Sequence, residues 1–255
     1  MSRFSVRPRD LSSRNPYESY PPDPGPHGVE RLPGKPLADI AGRPMIVRVW
    51  EQAMAAELGP VAVAAAEPEI VQAVTAAGGR AVLTDPGLAS GSDRIFAALQ
   101  QLDPDGRHDV VVNLQGDLPA LAPEDIRAVV AALAGSDIAT LAAEITDPAE
   151  RDNPSVVKAV VAWDGKNGRA LYFTRATAPS GDGPLFHHVG IYAFTRTALT
   201  RFVALPPSAL EMREKLEQLR ALEAGMRIAV ARVDRVPLSV DTPADLERAN
   251  RLLKS

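Results

Sequence analysis

The run Val112-Asn113-Leu114-Gln115-Gly116-Asp117 decides the fold of this chain. Residues 109–115 are predicted to form a buried strand, after which Gly116 lets the backbone turn tightly into Asp117. A second run, Val240-Asp241-Thr242-Pro243, predicts the same succession of a buried strand and an aspartate at a turn. Because ligands bind at the carboxyl ends of strands in α/β sheets, we expect the two aspartates to share one ligand site.

The rest of the chain supports an α/β fold. Between residues 44 and 144, segments with helical periodicity alternate with short apolar segments typical of strands, which predicts a mostly parallel, doubly wound sheet. Three strand-like segments then follow one another between residues 156 and 194 without a helix, so we expect an antiparallel insertion. A helix over 208–224, a strand over 227–233 and a helix over 243–253 complete the prediction.

The first 30 residues differ from everything that follows. Prolines crowd a polar stretch with no apolar period, and proline both fixes φ and removes a backbone donor. We therefore expect two parts: an irregular or disordered arm over residues 1–30, and a single domain over residues 31–255.

Composition excludes several functional classes. The net charge is −4 and no basic run is present, which argues against nucleic-acid binding. The chain has no cysteine, so thiol nucleophiles and Cys-ligated metals are excluded. No apolar stretch reaches the length of a membrane span, and the N-terminus lacks the apolar core of a signal peptide. We therefore expect a soluble, cytoplasmic protein without membrane contact.

Two carboxylates are the candidate metal ligands. Asp117 and Asp241 offer the hard oxygen atoms that Mg²⁺ prefers when it accompanies a nucleotide, which makes nucleotidyl transfer the leading hypothesis. Each residue also has an alternative role. Asp117 could be an ordinary turn residue before Pro119, and Asp241 could simply precede a helix capped by Thr242.

Further polar groups could meet a nucleotide or another anion. The loop Arg31-Leu32-Pro33-Gly34-Lys35-Pro36 carries two cations that suit phosphate, unless it is only a solvated turn. Ser90-Gly91 opens a predicted helix and could present backbone groups to a base or phosphate, or merely cap that helix. Arg175 would be costly to bury without an anionic partner. His187 and His188 are predicted to point to opposite faces of one strand.

Seven short runs resemble, in the same order, the 3-deoxy-manno-octulosonate (Kdo) cytidylyltransferases, also called CMP-Kdo synthetases. The resemblance covers Arg31 to the C-terminus. It implies a Rossmann-like nucleotidyltransferase, usually a homodimer, that converts CTP and the sugar acid Kdo into CMP-Kdo and pyrophosphate for lipopolysaccharide synthesis. The runs are Arg31 to Leu37, Ser90 to Arg94, Gln115 to Pro119, Leu171 to Ala176, His188 to Tyr192, Leu216 to Arg220 and Val240 to Pro243.

The same resemblance implies roles for individual residues. The catalytic residues would be Asp117, Asp241 and Lys35, with Mg²⁺ held by the two aspartates. Arg31 and Lys35 would contact the triphosphate, and Ser90, Gly91 and Gln115 the nucleotide. The sugar-acid pocket would be formed by Arg175, His188, Tyr192, Glu217 and Gln218.

The chain departs from the family pattern upstream of Arg31. The family opens with an apolar strand, an arginine-bearing turn and a Ser-Thr pair, all of which this sequence lacks, and Glu30 stands where threonine is usual. We therefore predict that the first strand is missing, which leaves ladder groups of its neighbours unpaired and places the activity of the chain in question. Two alternatives stay open. One is a cytidylyltransferase for another sugar acid, and the other is an inactive nucleotide-binding relative.

Overall fold

The computed structural model describes residues 32–254, so Arg31 and the predicted arm over residues 1–30 lie outside it. A short 3-10 helix, Lys35–Leu37, comes first. The strands are β1 (Asp39–Ile40), β2 (Arg43–Pro44), β3 (Ala62–Ala65), β4 (Arg80–Leu83), β5 (Val110–Asn113), β6 (Ile138–Glu144), β7 (Lys158–Asp164), β8 (Asn167–Thr174), β9 (Phe186–Thr195) and β10 (Ile228–Val233). The helices are α1 (Met45–Ala55), α2 (Pro68–Ala76), α3 (Gly91–Leu102), α4 (Pro123–Ala132), α5 (Pro148–Arg151), α6 (Arg196–Val203), α7 (Ala209–Glu214), α8 (Gln218–Glu223) and α9 (Pro243–Leu253).

The largest sheet among residues 32–254 has six strands in the order β5-β9-β6-β10-β8-β7. Only β6 and β10 run parallel within it, and the other pairs are antiparallel. The α/β class is confirmed, but this sheet is less parallel than the sequence predicted. The reason is that β9, which follows the β7–β8 hairpin, lies between β5 and β6 and runs antiparallel to both.

Two further strands form a separate parallel pair. β3 pairs with β4 in the register Ala62↔Arg80 to Ala65↔Leu83, and it pairs with no other strand in the described part of the chain. β5, at one edge of the large sheet, pairs with β9. Residues 32–254 therefore form three sheets, the third being the short antiparallel pair of β1 and β2, and among these residues β3 and β5 each have an unpaired edge. The predicted absence of a first strand concerns the sequence ahead of Leu32, which lies outside the described residues.

Small aliphatic side chains fill the core, as the low aromatic content requires. One cluster packs α4 against the large sheet and includes Leu121, Val129, Leu141 and Ile191, none of which is exposed. A second cluster covers the opposite face and contains four buried phenylalanines, Phe173, Phe186, Phe194 and Phe202, together with Leu199, Leu219 and Ile228 from α6, α8 and β10. The sheet that carries the site is thus anchored on both faces.

Two local predictions are wrong. The helix predicted over 208–224 is divided into α7 and α8 by Lys215, whose φ of 56° places it in the left-handed region. The break accompanies the tethering of Glu214, whose carboxylate accepts hydrogen bonds from the Thr174 hydroxyl and the Arg175 N–H. The strand predicted before Asp241 is absent, because β10 ends at Val233 and Val240 lies, fully buried, in an irregular segment.

No helix formed by residues 32–254 combines the length and the apolar character that crossing a membrane requires.

Candidate active site

Three charged residues from distant parts of the chain meet at the carboxyl end of β5. Asp117 lies in the turn after this strand, and Asp241 directly precedes the cap of α9. Lys35 opens the 3-10 helix after Gly34, whose positive φ of 61° suits glycine. The Lys35 Nζ donates to Asp117 Oδ2 at 2.9 Å and to Asp241 Oδ1 at 2.7 Å. We call these three residues the carboxylate–lysine cluster.

Backbone hydrogen bonds fix the cluster in place. The Val240 N–H donates to the Asp117 carbonyl at 3.0 Å, and the Leu32 N–H donates to the Asp241 carbonyl at 3.3 Å. Thr242 caps α9, since its hydroxyl accepts from the Asp245 N–H at 3.1 Å while the Asp245 carboxylate accepts from the Thr242 N–H at 3.0 Å. The two roles considered for Asp241 are therefore compatible, because the capping falls to the next residue.

The carboxylate–lysine cluster carries charges of both signs, so its carboxylates can bind a cation while its ammonium binds an anion. Burial alone would lower the pKa of the Lys35 ammonium, but the Asp241 and Asp117 carboxylates outweigh that effect and raise it, so the lysine stays charged. Two carboxylates that already converge on one positive group can also converge on a divalent ion. Within residues 32–254 no group of three or more His, Cys, Asp or Glu side chains could hold a metal. Two convergent carboxylates fit Mg²⁺, which commonly uses one or two carboxylates plus substrate phosphates.

A cavity of about 310 Å³ lies beside the cluster. It is lined by Lys35 and Asp117, by the residues at the carboxyl end of β3, and by Arg94 on α3. Arg94 is a cation for which the sequence predicts no individual role, although it belongs to the run Ser90 to Arg94. Its Nη1 donates to the Thr84 hydroxyl at 2.7 Å, which holds the guanidinium at the wall of this cavity.

The first turn of α3 connects this cavity to a second group of polar residues. Ser90 is the N-cap of α3, and its hydroxyl accepts from the Asp93 N–H at 3.2 Å. The Ser92 hydroxyl donates to Glu217 Oε2 at 3.3 Å. The other Glu217 carboxylate oxygen and the Gln218 Nε2 are buried and have no hydrogen-bond partner among residues 32–254.

Burial determines the charge states in this second group. It raises the pKa of the Glu217 carboxyl, although the hydroxyls of Ser90 and Ser92 and the Arg220 guanidinium act in the opposite direction. It also raises the pKa of the Tyr192 hydroxyl, to which the Glu217 charge adds. We call Ser92, Tyr192, Glu217 and Gln218 the Glu217 cluster. Its two unpartnered polar atoms offer one acceptor and one donor to a polar ligand.

His188 borders the Glu217 cluster as a neutral ring. Burial, with a smaller contribution from His187, lowers its pKa from 6.5 to about 3. Its Nε2 lies 3.0 Å from the Thr140 hydroxyl, which itself reaches the Ile191 carbonyl at 2.8 Å. Since the hydroxyl donates to that carbonyl, Nε2 carries the proton and Nδ1 is the acceptor of the ring. The ring packs against Phe173 and Tyr192, with centroids 4.8 and 5.6 Å apart.

The remaining predicted residues have more varied surroundings. Arg175 is half-buried, and its side chain donates to the carbonyls of Glu214 at 2.9 Å and Pro154 at 3.2 Å, so these carbonyls stabilise its charge without an anionic ligand. Gln115 is exposed, and a Cβ added to Gly190 of β9 would lie 3.9 Å from its Cγ. The structure thus brings Lys35, Asp117 and Asp241 together, and separately groups Ser90, His188, Tyr192, Glu217 and Gln218.

Comparisons with known proteins agree with this geometry. The family profile described as cytidylyltransferase matches residues 27–228. A protein of Rhodospirillum centenum named 3-deoxy-manno-octulosonate cytidylyltransferase is 66% identical over 229 residues, covering 88% of this chain and 89% of its own. A protein of the same name from Parvibaculum lavamentivorans is 65% identical over 226 residues, covering 88% of each chain.

Solved structures extend the comparison to three dimensions. A CMP:2-keto-3-deoxy-manno-octonic acid synthetase complexed with CTP aligns with a TM-score of 0.81 at 39% identity, covering 89% of this chain and 94% of its own. The 4-diphosphocytidyl-2C-methyl-D-erythritol synthase of Anaerococcus prevotii shares the fold, with a TM-score of 0.61 at 14% identity. The comparisons give no support to an inactive relative. The chain therefore belongs to the 3-deoxy-manno-octulosonate cytidylyltransferase family of nucleotidyltransferases.

Proposed function

We propose that this enzyme transfers CMP from CTP to the anomeric hydroxyl of Kdo, with Asp117, Asp241 and Lys35 at the reacting phosphate. The observation that carries the proposal is the single ammonium shared by two carboxylates, 2.9 and 2.7 Å away, at the carboxyl end of β5. The anomeric oxygen forms a bond to the α-phosphorus while the bond to the β-phosphate oxygen breaks. Pyrophosphate leaves, and the hydroxyl proton passes to solvent.

This reaction needs positioning and positive charge more than it needs an enzyme nucleophile. Lys35 and Arg94, on two walls of the same cavity, are placed to draw the β- and γ-phosphates away from the α-phosphorus. The backbone N–H groups at the start of α3 add the positive end of a helix. Mg²⁺ held by Asp117 and Asp241 would supply charge at the α-phosphate and lower the pKa of the attacking hydroxyl.

The Glu217 cluster is the proposed site for the sugar acid. A sugar with many hydroxyls and one carboxylate can satisfy both the buried Glu217 oxygen and the buried Gln218 amide nitrogen, which lack partners in the described part of the chain. The neutral His188 ring adds an acceptor at Nδ1 and no charge. Arg175, bonded to two carbonyls, contributes to this pocket mainly by keeping α7 against β8.

The experiment is pyrophosphate release from CTP and Kdo with Mg²⁺, measured for the unaltered enzyme and for Asp117→Asn. We expect the substitution to lower kcat/KM by at least about 100-fold because it removes one of the two carboxylates at the reacting phosphate. Asp182→Asn, at an exposed loop position, is the matched control and should leave the rate unchanged. Equal rates for the enzyme and Asp117→Asn would refute the assignment.

A panel of sugar acids tests the substrate. Kdo should react with a kcat/KM well above that of an 8-amino derivative or a sialic acid, and a reversed order would identify the enzyme as a cytidylyltransferase for another sugar acid. We further propose that the enzyme acts in the cytoplasm, where CTP is available, and as a homodimer. Sedimentation equilibrium at micromolar concentration would reveal a monomer if the second proposal is wrong.

A further inference from the structure

The break between α7 and α8 interrupts what the sequence would allow to be one continuous helix. α7 ends at Glu214, and Lys215 adopts φ 56° and ψ 47°, in the left-handed region that is unfavourable for a residue with a β-carbon. α8 begins three residues later at Gln218. A backbone conformation of this kind persists only where the surrounding contacts compensate for its cost, and it is often found where function requires it.

Glu214, on one side of the break, is bound to the end of β8. Its Oε1 accepts from the Thr174 hydroxyl at 2.8 Å and from the Tyr172 hydroxyl at 3.4 Å. Its Oε2 accepts from the Arg175 N–H at 3.0 Å, and its carbonyl accepts from Arg175 Nε at 2.9 Å. Both the side chain and the backbone of Glu214 are therefore held against one strand, at the position where α7 ends.

Further contacts cross the break and hold α8 against α7. Arg220 Nε donates to Glu211 Oε2 at 2.8 Å, and the Leu216 N–H donates to the Glu211 carbonyl at 3.2 Å. Leu216 and Leu219 are both buried in the apolar cluster that covers this face of the large sheet. α8 thus has a defined position relative to α7, and the bonds of Glu214 define the position of α7 relative to β8.

The break sends polar residues of one helical face to two different places. In an unbroken helix, residues 214, 217 and 218 would project from the same face, because residues three and four positions apart are neighbours on a helix surface. In the structure Glu214 contacts β8, whereas Glu217 Oε2 accepts from the Ser92 hydroxyl of α3 at 3.3 Å. Gln218 is buried, and its Nε2 has no hydrogen-bond partner among residues 32–254. The residue that binds β8 is thereby separated from the two residues of the proposed sugar-acid pocket.

We propose that Glu214 is a positioning residue for the sugar acid, because it holds the α7–α8 break against β8 and thereby fixes Glu217 and Gln218 in their pocket. This inference rests on the proposed function, which assigns the Glu217 cluster to the sugar acid. Both Glu214 carboxylate oxygens are engaged with β8 and its flanking residue, so Glu214 acts through the backbone and not by contact with a substrate. If its bonds served the fold alone, their loss would affect the binding of CTP and of the sugar acid alike.

The test is the full-length variant Glu214→Ala, assayed by pyrophosphate release with CTP, Mg²⁺ and the sugar acid that reacts best in the panel. We expect KM for the sugar acid to rise by at least about tenfold and KM for CTP to stay within about twofold, because small displacements of orienting groups are enough to weaken a bound substrate. Thr195→Ala is the matched control, since it removes the N-cap of α6 and leaves the break intact. It should lower Tm and leave both KM values within about twofold.

A double variant tests the route by which Glu214 acts. If Glu214 acts by placing Glu217, adding Glu217→Gln to Glu214→Ala should raise KM for the sugar acid by less than about threefold. Two independent tenfold effects would instead multiply to about 100-fold. Multiplication of the two effects would overturn the proposal, and so would a rise in KM for CTP equal to the rise for the sugar acid.

If Glu214→Ala does not fold, two substitutions of its partner Thr174 decide instead. Thr174→Val removes the hydroxyl that donates to Glu214 and keeps the shape of the side chain, whereas Thr174→Ser keeps the hydroxyl. We expect Thr174→Val to raise KM for the sugar acid by at least about threefold and Thr174→Ser to leave it unchanged, and equal KM values for the two would overturn the proposal. A wrong substrate is revealed by the panel and a wrong catalytic centre by Asp117→Asn, both with Glu214 intact, so failure here is distinct from failure of the proposed function.

Discussion

Replacing Lys35 with methionine removes a positive charge that the structure places between Asp117 and Asp241. The Lys35 and Asp117 side chains are about three-quarters buried, at 25% and 28% exposure, whereas the Asp241 side chain is 65% exposed. The bond to Asp117 should therefore contribute about 2 kcal/mol and the bond to Asp241 less than about 1 kcal/mol. We expect Lys35→Met to lower the free energy of unfolding by roughly 2–3 kcal/mol.

The measurement is thermal unfolding without and with Mg²⁺. For a chain of this size a loss of that order lowers Tm by roughly 5–10 °C. Because the substitution also frees two carboxylates from a competing cation, Mg²⁺ should raise the Tm of Lys35→Met more than it raises the Tm of the unaltered enzyme. Lys166→Met, at an exposed turn between β7 and β8, is the control and should change neither value.

Two results would refute this reasoning. A Tm for Lys35→Met within 1 °C of the control would mean that the ammonium does not stabilise the carboxylates in solution. A smaller Mg²⁺ effect in the variant would mean that the two carboxylates do not converge on a shared cation once the lysine is gone. Either outcome would remove the geometric basis for placing the reacting phosphate at this point.

Three further predictions concern His188, Thr242 and Glu217. The pKa of His188 is lowered, so the ring stays neutral in the folded enzyme at pH values where the unfolded chain already binds a proton. The stability that the neutral ring contributes is therefore fully present above the ordinary pKa of 6.5 and is lost as pH falls toward about 3. Replacing His188 with asparagine should reduce the pH dependence of unfolding free energy in that window by up to about 1.4 kcal/mol per pH unit, and an unchanged slope in urea titrations would contradict it. Thr242→Ala removes the cap of α9 and should cost about 1 kcal/mol in urea unfolding, whereas a cost below the error of the measurement would show that the Asp245 carboxylate caps the helix alone. Glu217→Gln should raise KM for Kdo by about tenfold and leave KM for CTP within about twofold, because the altered group lies in the Glu217 cluster. The exposed Glu69→Gln is its control, and an equal effect on both KM values would place Glu217 elsewhere.

Strand and helix positions were predictable where the apolar pattern is strong and local. α9 begins at Pro243 and ends at Leu253 as predicted, because Thr242, Pro243 and Asp245 are all typical of a helix start. The order of strands was less predictable, since the position of β9 between β5 and β6 depends on pairing between distant segments. A periodic pattern records which residues are buried, but it does not record which strand lies beside which.

The candidate site, too, was predictable only in part. That Asp117 and Asp241 meet followed from two short runs and one rule about strand ends, even though the strand expected before Asp241 does not form. The role proposed for Arg94 was not predicted, because the position of this side chain depends on which face of α3 is turned toward the cavity. The break at Lys215 could not be predicted either. The break accompanies contacts between Glu214 and β8, which an unbroken helical pattern in the sequence does not reveal.

The hydrogen bond between Lys35 and Asp241 joins residues 206 positions apart. Because residue 241 follows the last strand of the six-stranded sheet, the nascent chain cannot complete the carboxylate–lysine cluster until every strand of that sheet has been made. A chain released before residue 241 can still place Lys35 beside Asp117, yet it lacks the second carboxylate. Premature termination there yields a chain that has all the strands of the six-stranded sheet but lacks helix α9 and can fill only part of the carboxylate–lysine cluster.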